Sequence, residues 1–505
     1  MNGTSRVLHV SPFVSLGGAG RAVIAAAKYS SRLGNFNHRV VSLAAPDPAA
    51  CKLAADAGLE LMHAPPGTAE LISALAKTDI LHIHFWNHPI LRQFFGGRWT
   101  AKTLVWCHTH CVDPPHIMTS DVFDRADAVI VSTEATLGVP IFASGSRRVE
   151  HIKAGADFER MTGFEPHSHP TFNVGYVGLF DFIKLHPDFV AMSAAISVPN
   201  VRVMAYGEGR DRHALIRQAR DLGASGRLTI GPYAADLRLA LAQFDVFGYP
   251  LCEANTTTAE LILQEVMYAG IPPVVLPYGG AATLVIHGET GLIARDPIDY
   301  AHQIEYLYKK PAELERLGKN AAAFARQKFG AENTAVRLNA LYTELMEWAT
   351  RPSAPVASVA PAGATLASVG SSGSQMLIAS LEAYATDFIT SAKEQDPAET
   401  LAAERRIAQS GVGMGDAVLS YRIAYPDDPL LRLWSGLVLM HRGRMALAAM
   451  EFRASIAAAP YRRRAFEYLE EAARRAGSTV VADRTAAAAA NLGHLLRAEA
   501  MSRHG

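Results

Sequence analysis

Asp245-Val246-Phe247-Gly248-Tyr249-Pro250, then Gln264-Glu265-Val266-Met267-Tyr268-Ala269-Gly270, then Pro272-Pro273-Val274-Val275-Leu276-Pro277, Gly279-Gly280 and His287-Gly288-Glu289-Thr290-Gly291 decide the fold of this chain. The first and third segments are short apolar runs that read as strands, and the segment between them suits a helix. A carboxylate near the end of that helix, beside a Gly-rich turn that opens another, can accept hydrogen bonds from ribose hydroxyls. Free backbone N–H groups of the turn can meet a diphosphate. Sugar nucleotides present both groups.

The same alternation continues outward. Val- and Ile-rich runs at 7–10, 39–43, 80–85, 103–107 and 128–132 are separated by helix-compatible segments, and a second series follows at 173–177, 201–206, 227–230, 246–249 and 273–276. Two such series predict an α/β chain of two Rossmann-like domains with parallel sheets, 1–160 and 161–350. They join near Ala154-Gly155-Ala156-Asp157 to 170, with the ligand site in the cleft at the strands' carboxyl ends. Helices are expected over 297–348. Residues 351–374, rich in Pro, Ala, Ser and Gly and uncharged from 352, read as a flexible linker.

Residues 375–505 read as a small all-α domain. Gly436, Gly443, Ala448, Phe452 and Pro460 fall at the spacing of a tetratricopeptide repeat within a helical hairpin over 428–477. One repeat cannot bury its faces alone, so helices over 375–393 and 483–500 are expected to complete the domain, which offers a surface for a protein partner. The run Arg462-Arg463-Arg464, with Arg474-Arg475, is expected to be a solvated helical face, the alternative being contact with an anionic membrane or a partner.

A length of 505 residues suggests about three domains. The formal net charge of zero supplies no whole-chain field for nucleic acid or an anionic membrane. Cys51, Cys107, Cys111 and Cys252 have no disulfide-framework spacing, which fits a reducing compartment. The N-terminus runs into a strand without a signal-peptide core, and no apolar run approaches the roughly 20 residues that span a bilayer. The expectation is a soluble cytoplasmic protein with at most peripheral membrane contact.

Glu265-x-Met267-x-x-Gly270-x-Pro272-x-Val274-Val275, Gly279-Gly280 and Gly288-x-Thr290-Gly291 together resemble the donor-side signature of the family 4 glycosyltransferases of the GT-B fold. The resemblance covers residues 5–348. It implies retaining, metal-independent transfer from a nucleotide diphosphate sugar, with no cofactor, to a glycan, lipid-linked or protein acceptor in polysaccharide or glycoconjugate synthesis. Val177-Gly178-Leu179-Phe180-Asp181-Phe182-Ile183-Lys184 resembles the family's Gly-Arg-Leu-x-x-x-Lys phosphate clamp, with Leu179 in place of Arg. Lys184 would stabilise the leaving diphosphate, and Arg210 is a candidate for the missing cation. Of the family's paired glutamates the second matches Glu265, assigned to ribose, and the first falls on Thr257. Glu260 and the Thr256-Thr257-Thr258 backbone are therefore assigned to sugar or phosphate, a solvent-facing Glu260 being the alternative.

The segment Trp106-Cys107-His108-Thr109-His110-Cys111 resembles the family's strand ending in a cleft histidine, which implies that His108 is a catalytic residue contacting the donor sugar or lying near the transferred group. A zinc site including His116 and a strand-end histidine bonded to backbone are the alternatives. Gly17 and Gly18, in Gly17-Gly18-Ala19-Gly20-Arg21, permit close backbone approach across the cleft from the donor, or simply make a strand-to-helix turn. His82 and His84 share one strand face and are expected to pack against the next strand with their rings hydrogen-bonded. Gly279 and Gly280 are assigned to the donor. Thr283 lies where Pro-Glu is common, and His287 where Asp is frequent. With no Asp-x-Asp in the chain, the metal-diphosphate clamp of the other major glycosyltransferase architecture has no candidate. A non-catalytic GT-B scaffold, suggested by Leu179, Thr257 and Thr283, and a sugar-nucleotide epimerase on the same fold are the rival functions.

Overall fold

The structure is a computed structural model describing residues 4–348 and 372–502, with side chains as far as 490. Its first sheet contains β1 (Ser5–Ser11), β2 (Phe36–Ser42), β3 (Glu60–His63), β4 (Ile80–Phe85), β5 (Lys102–Cys107), β6 (Ala128–Val131) and β7 (Arg148–His151). Their order is β3-β2-β1-β4-β5-β6-β7, parallel throughout. The second sheet contains β8 (Phe172–Val177), β9 (Val201–Tyr206), β10 (Leu228–Gly231), β11 (Val246–Tyr249), β12 (Pro273–Val275) and β13 (Leu292–Ile293). It runs β10-β9-β8-β11-β12-β13, again parallel.

The ten apolar runs read from sequence all form strands. Three further strands lacked the signal: β3, β7 and β13 are three of the four outer strands of the two sheets, two to four residues long and only partly buried. An outer strand has one ladder neighbour, so it needs no continuous apolar run. By contrast every residue of β4 and β5 is buried. In each sheet the strand order reverses once, between β1 and β4 and between β8 and β11, and loops at such reversals form the ligand crevices of open parallel sheets.

The region 297–348 forms helices Pro297–Lys309, Pro311–Lys328 and Ala331–Glu347. The last returns to the first domain, packing on helix Gly18–Arg32 and burying Leu338, Leu341 and Tyr342 there. Where the chain crosses between the sheets, a Cβ on Gly155 would lie 2.1 Å from the backbone of Gly330, so neither strand of the crossing can yield to a side chain. Gly155→Ala is therefore expected to destabilise the protein by roughly 2 kcal/mol or more. Gly18→Ala, with nothing within 4 Å of its added methyl, should leave the urea midpoint nearly unchanged. Equal midpoints for the two variants would contradict this crossing.

The second compact unit is drawn from 87–98, 111–123 and the C-terminal region, and among the described residues its regular elements are helices. The segments following β4 and β5 leave the sheet, and Asn87 shows why. Its buried amide donates to Pro115 O (2.7 Å) and Ser380 Oγ (3.0 Å) and accepts from Tyr421 (2.8 Å), so its polar groups are satisfied only within the helical unit. Of the stretch read as linker, 351–371 lies outside the described residues, whereas 372–374 begin helix Ser372–Leu381.

The expected hairpin is present as helices Pro429–His441 and Met445–Ala458, followed by Arg463–Arg475. A Cβ on Gly436 would stand 2.4 Å from the Phe452 ring, so close crossing depends on that glycine. Of the arginines read as a solvated face, Arg463, Arg474 and Arg475 are exposed. Arg462 instead is buried and donates to Glu394 (2.6 Å), and Arg464, also mostly buried, pairs with Glu404. Those carboxylates lie 68 and 60 residues away, so local periodicity carries no trace of the pairing.

Candidate functional site

At the reversal in the second sheet, the loop after β11 runs through 250–260 into helix Leu261–Tyr268, whose N-cap is Glu260. Glu260 has φ 41° and ψ 56°, a left-handed conformation that a non-glycine residue adopts at about 1–3 kcal/mol. Its surroundings hold it there. The carboxylate is 3% exposed and accepts from Lys184 Nζ (2.9 Å), Tyr249 Oη (2.6 Å), Asn255 Nδ2 (3.4 Å) and Thr257 Oγ1. Burial pushes its pKa up, but the Lys184 ammonium and these hydrogen bonds prevail and hold it below the ordinary value. Glu260 is thus an ionised buried acid, which removes the solvent-facing alternative. It also places a carboxylate beside Thr257, where the paired-glutamate pattern lacked one.

Lys184 comes from the loop after β8, the other side of the reversal. Its carbonyl accepts from Cys252 N–H (2.8 Å), and its ammonium lies 5.7 Å from the centre of the Tyr249 ring. Arg210 instead donates to Asp181 (2.8 Å) in the same β8 loop, and its side chain is 41% exposed. Leu179 is exposed, so no cation occupies the family's Arg position.

The first domain meets this loop at the end of β5. Thr109 forms an antiparallel bridge with Thr257, and Thr258 Oγ1 donates to His108 O (3.2 Å). Gly279 and Gly280 pack from behind: their Cβ atoms would fall 2.4 Å from Asn255 Nδ2 and 2.4 Å from Thr258 O. The turn opens the four-residue helix Ala281–Leu284, and Gly280 N–H donates to Thr257 O (3.1 Å). The glycines allow close packing of the 255–258 loop.

Glu265 lies elsewhere. It is fully buried and pairs through Oε1 with Arg21 and with Arg160 (2.6 Å), while Oε2 has no partner. The two arginines line a cavity of about 230 Å³ together with Lys28 and Asp157, a cavity that neither Lys184 nor Glu260 touches. Lys184 with Glu260, and Glu265 with Arg21 and Arg160, form two ion-paired clusters at one short helix. Gly17 is the N-cap of helix Gly18–Arg32, which carries Arg21, and Gly18 is its first residue. Gly20 is the sterically constrained member of the loop, its Cβ position lying 2.1 Å from Ser15 O.

Residues 171–310, the span that includes β8–β13, match the Glycosyl transferases group 1 family. The two sheets have the GT-B fold, and residues 171–310 carry the group 1 glycosyltransferase domain. Curated relatives include D-inositol 3-phosphate glycosyltransferases of Nocardia farcinica, 26% identical over 306 residues (52% of this chain, 66% of the relative), and of Thermobispora bispora, 24% identical over 312 residues (54% and 72%). The matched stretch thus spans about two thirds of the length of these relatives. Among solved structures, Anabaena HepE with UDP and glucose superposes with a TM-score of 0.54 at 18% identity, covering 67% of this chain and all of that one. A glycosyltransferase from Rickettsia africae gives 0.56 at 14%, covering 68% and 100%. Among the described residues no helix is long and apolar enough to cross a membrane.

His108, half-buried at the end of β5, stacks on Trp106 (5.1 Å between ring centres) and is held by burial at a pKa of about 4, hence neutral near pH 7. Its Nε2 lies 2.8 Å from His84 Nδ1. His82 and His84 are packed and hydrogen-bonded, as expected for that strand face. Their further neighbours His9 and His38 carried no sequence signal, because parallel pairing across β1, β2 and β4, including His9 opposite His82, assembles the group. Nitrogens of His9, His82 and His84 lie within 4.8 Å of one another, a grouping able to ligate a metal. Arg160 and Tyr249 were likewise invisible in the motif pattern, since each acts through a long-range partner.

Proposed function

We propose that this protein is a retaining, metal-independent glycosyltransferase that moves a sugar from a nucleotide diphosphate sugar to an acceptor hydroxyl. The observation that carries the reading is the Lys184–Glu260 pair, fixed in the 250–260 loop where that loop meets the end of β5. In this scheme the bond from the anomeric carbon to the diphosphate oxygen breaks as the acceptor oxygen bonds to the same face. The acceptor's proton passes to the departing phosphate oxygen, so no carboxylate base is required. Lys184 stabilises the charge that develops on the leaving group, and Glu260 keeps its ammonium in place. His108 meets the sugar. Glu265, its carboxylate oriented by Arg21 and Arg160, is the residue assigned to a ribose hydroxyl. Arg210, Gly17 and Gly18 remain donor-side candidates, with Gly279 and Gly280 acting through the packing of Thr257 and Thr258.

The relatives named for D-inositol 3-phosphate make a phosphorylated polyol the first acceptor to test, beside glycan, lipid-linked and protein acceptors. Four free cysteines fit work in a reducing compartment such as the cytoplasm. The helical unit is the candidate surface for a protein partner. A scaffold reading loses ground because Glu260 supplies the carboxylate that Thr257 lacks.

The test is a thermal-shift screen with UDP, GDP and ADP sugars, since a ligand of the native state raises its stability by mass action. Assays of nucleotide diphosphate release follow. No release with any donor would support the scaffold, and an altered donor without acceptor would support the epimerase. Glu265→Gln is expected to weaken UDP-class binding by about ten- to a hundredfold, the loss typical of a hydrogen bond to a charged group. An unchanged dissociation constant by calorimetry would remove Glu265 from the site.

A further inference from the structure

A continuous chain of imidazoles runs from His108 into the first domain. His108 Nε2 meets His84 Nδ1 (2.8 Å), His84 Nε2 meets His9 Nδ1 (2.9 Å), and His9 Nε2 meets His38 Nδ1 (2.8 Å). His38 Nε2 then meets Ser30 Oγ (2.8 Å), which bonds to Asn339 Oδ1. His9 and His84 are wholly inaccessible and His38 nearly so, leaving no solvent to supply a missing donor or acceptor.

The far end determines the direction of every bond. Asn339 Nδ2 donates to Ser30 O (3.3 Å), so the amide oxygen must be the atom facing Ser30 Oγ. That oxygen only accepts, hence the Ser30 hydroxyl donates to it and must itself accept from His38 Nε2–H. A neutral imidazole carries one N–H, so His38 Nδ1 accepts from His9 Nε2–H. By the same step His9 Nδ1 accepts from His84 Nε2–H, and His84 Nδ1 from His108 Nε2–H. We propose that Asn339 and Ser30, acting through this relay, lock His108 as its Nε2–H tautomer, so that His108 Nδ1 presents a lone pair to a substrate hydroxyl. No bond within the chain engages Nδ1 among the described residues.

His38, His9 and His84 are then positioning residues, and His108 discriminates in favour of sugars carrying a donor hydroxyl at the place it reads. That functional consequence rests on the glycosyl-transfer reading; the tautomer assignment does not. A site built to accept from a hydroxyl rejects the deoxy analogue because its own lone pair is left unpaired.

The experiment uses the full chain labelled with ¹⁵N-histidine. Long-range ¹H–¹⁵N spectra near pH 7.5 should show pyridine-like Nδ1 and pyrrole-like Nε2 shifts for His108, assigned by its loss in His108→Gln. The same pattern should hold for His84, His9 and His38. Ser30→Ala removes the terminal acceptor and should give mixed His108 tautomers, with kcat/KM lowered by about tenfold, the scale of one hydrogen bond. Ser30→Thr, which keeps the hydroxyl, should restore both. A protonated Nδ1 on His108 in the unmodified protein would overturn the proposal. So would one equivalent of a transition metal in the purified protein that His82→Ala loses, because coordinated nitrogens could not relay. Mixed tautomers in Ser30→Ala with unchanged kcat/KM would overturn the coupling to substrate. If the unmodified chain transfers no sugar, the functional reading fails while the tautomer spectrum still decides the relay.

Discussion

Lys184→Ala is expected to lower kcat by about a hundred- to a thousandfold, the usual consequence of removing one preorganised group that stabilises transition-state charge. The same substitution strands Glu260, a buried carboxylate, without its cation. Breaking one side of such a pair typically destabilises by about 3–5 kcal/mol, so reduced activity alone would be ambiguous. Combining Lys184→Met with Glu260→Gln separates the two roles. The double variant has no buried charge to leave uncompensated, and its melting temperature should recover most of what the single variant loses. Its kcat should stay low, because a thioether cannot neutralise a diphosphate. Recovery of both stability and kcat would show that the pair is structural and end the assignment of Lys184 to the leaving group.

Acidification from pH 7 to about pH 4.5 is expected to cost at least about 5 kcal/mol of folding stability, a large part of the total for an ordinary protein. Burial lowers the pKa values of His38 and His108 to about 4 and shifts those of His9, His82 and His84 in the same direction. Their folded values therefore lie below the unfolded value near 6.5, and the unfolded chain binds more protons once the pH falls beneath it. Stability is full above pH 6.5 and declines as the pH drops toward 4. A group such as His38 alone contributes about 3 kcal/mol across that window, at 1.36 kcal/mol for each pH unit. Urea midpoints at pH 7.5, 5.5 and 4.5 measure the effect, and a flat profile would mean that the cluster is hydrated in the folded protein.

The ten apolar runs were legible because a parallel strand buried on both faces needs a local, mostly apolar run, as Ala128–Val131 of β6 shows. Lys184 was legible because it stands at a fixed distance after a recognisable strand. Glu260 was legible only in part. The sequence shows a carboxylate near Thr257, whereas its left-handed backbone and four hydrogen-bond partners turn it toward Lys184. Glu265 was correctly singled out as a carboxylate in a helix, but its arginine partners lie more than a hundred residues away in sequence.

From the sequence alone follow two parallel sheets, a helical C-terminal region and the loops in which a nucleotide site can form, since these depend on residue type over a few turns or strands. Only the tertiary structure decides that Glu260 rather than Glu265 faces Lys184, and that four histidines from four strands make one line. It also assigns 87–98 and 111–123 to the helical unit. Each of these depends on the relative placement of segments distant in the chain, and periodicity within one segment carries no information about the face that another will present to it.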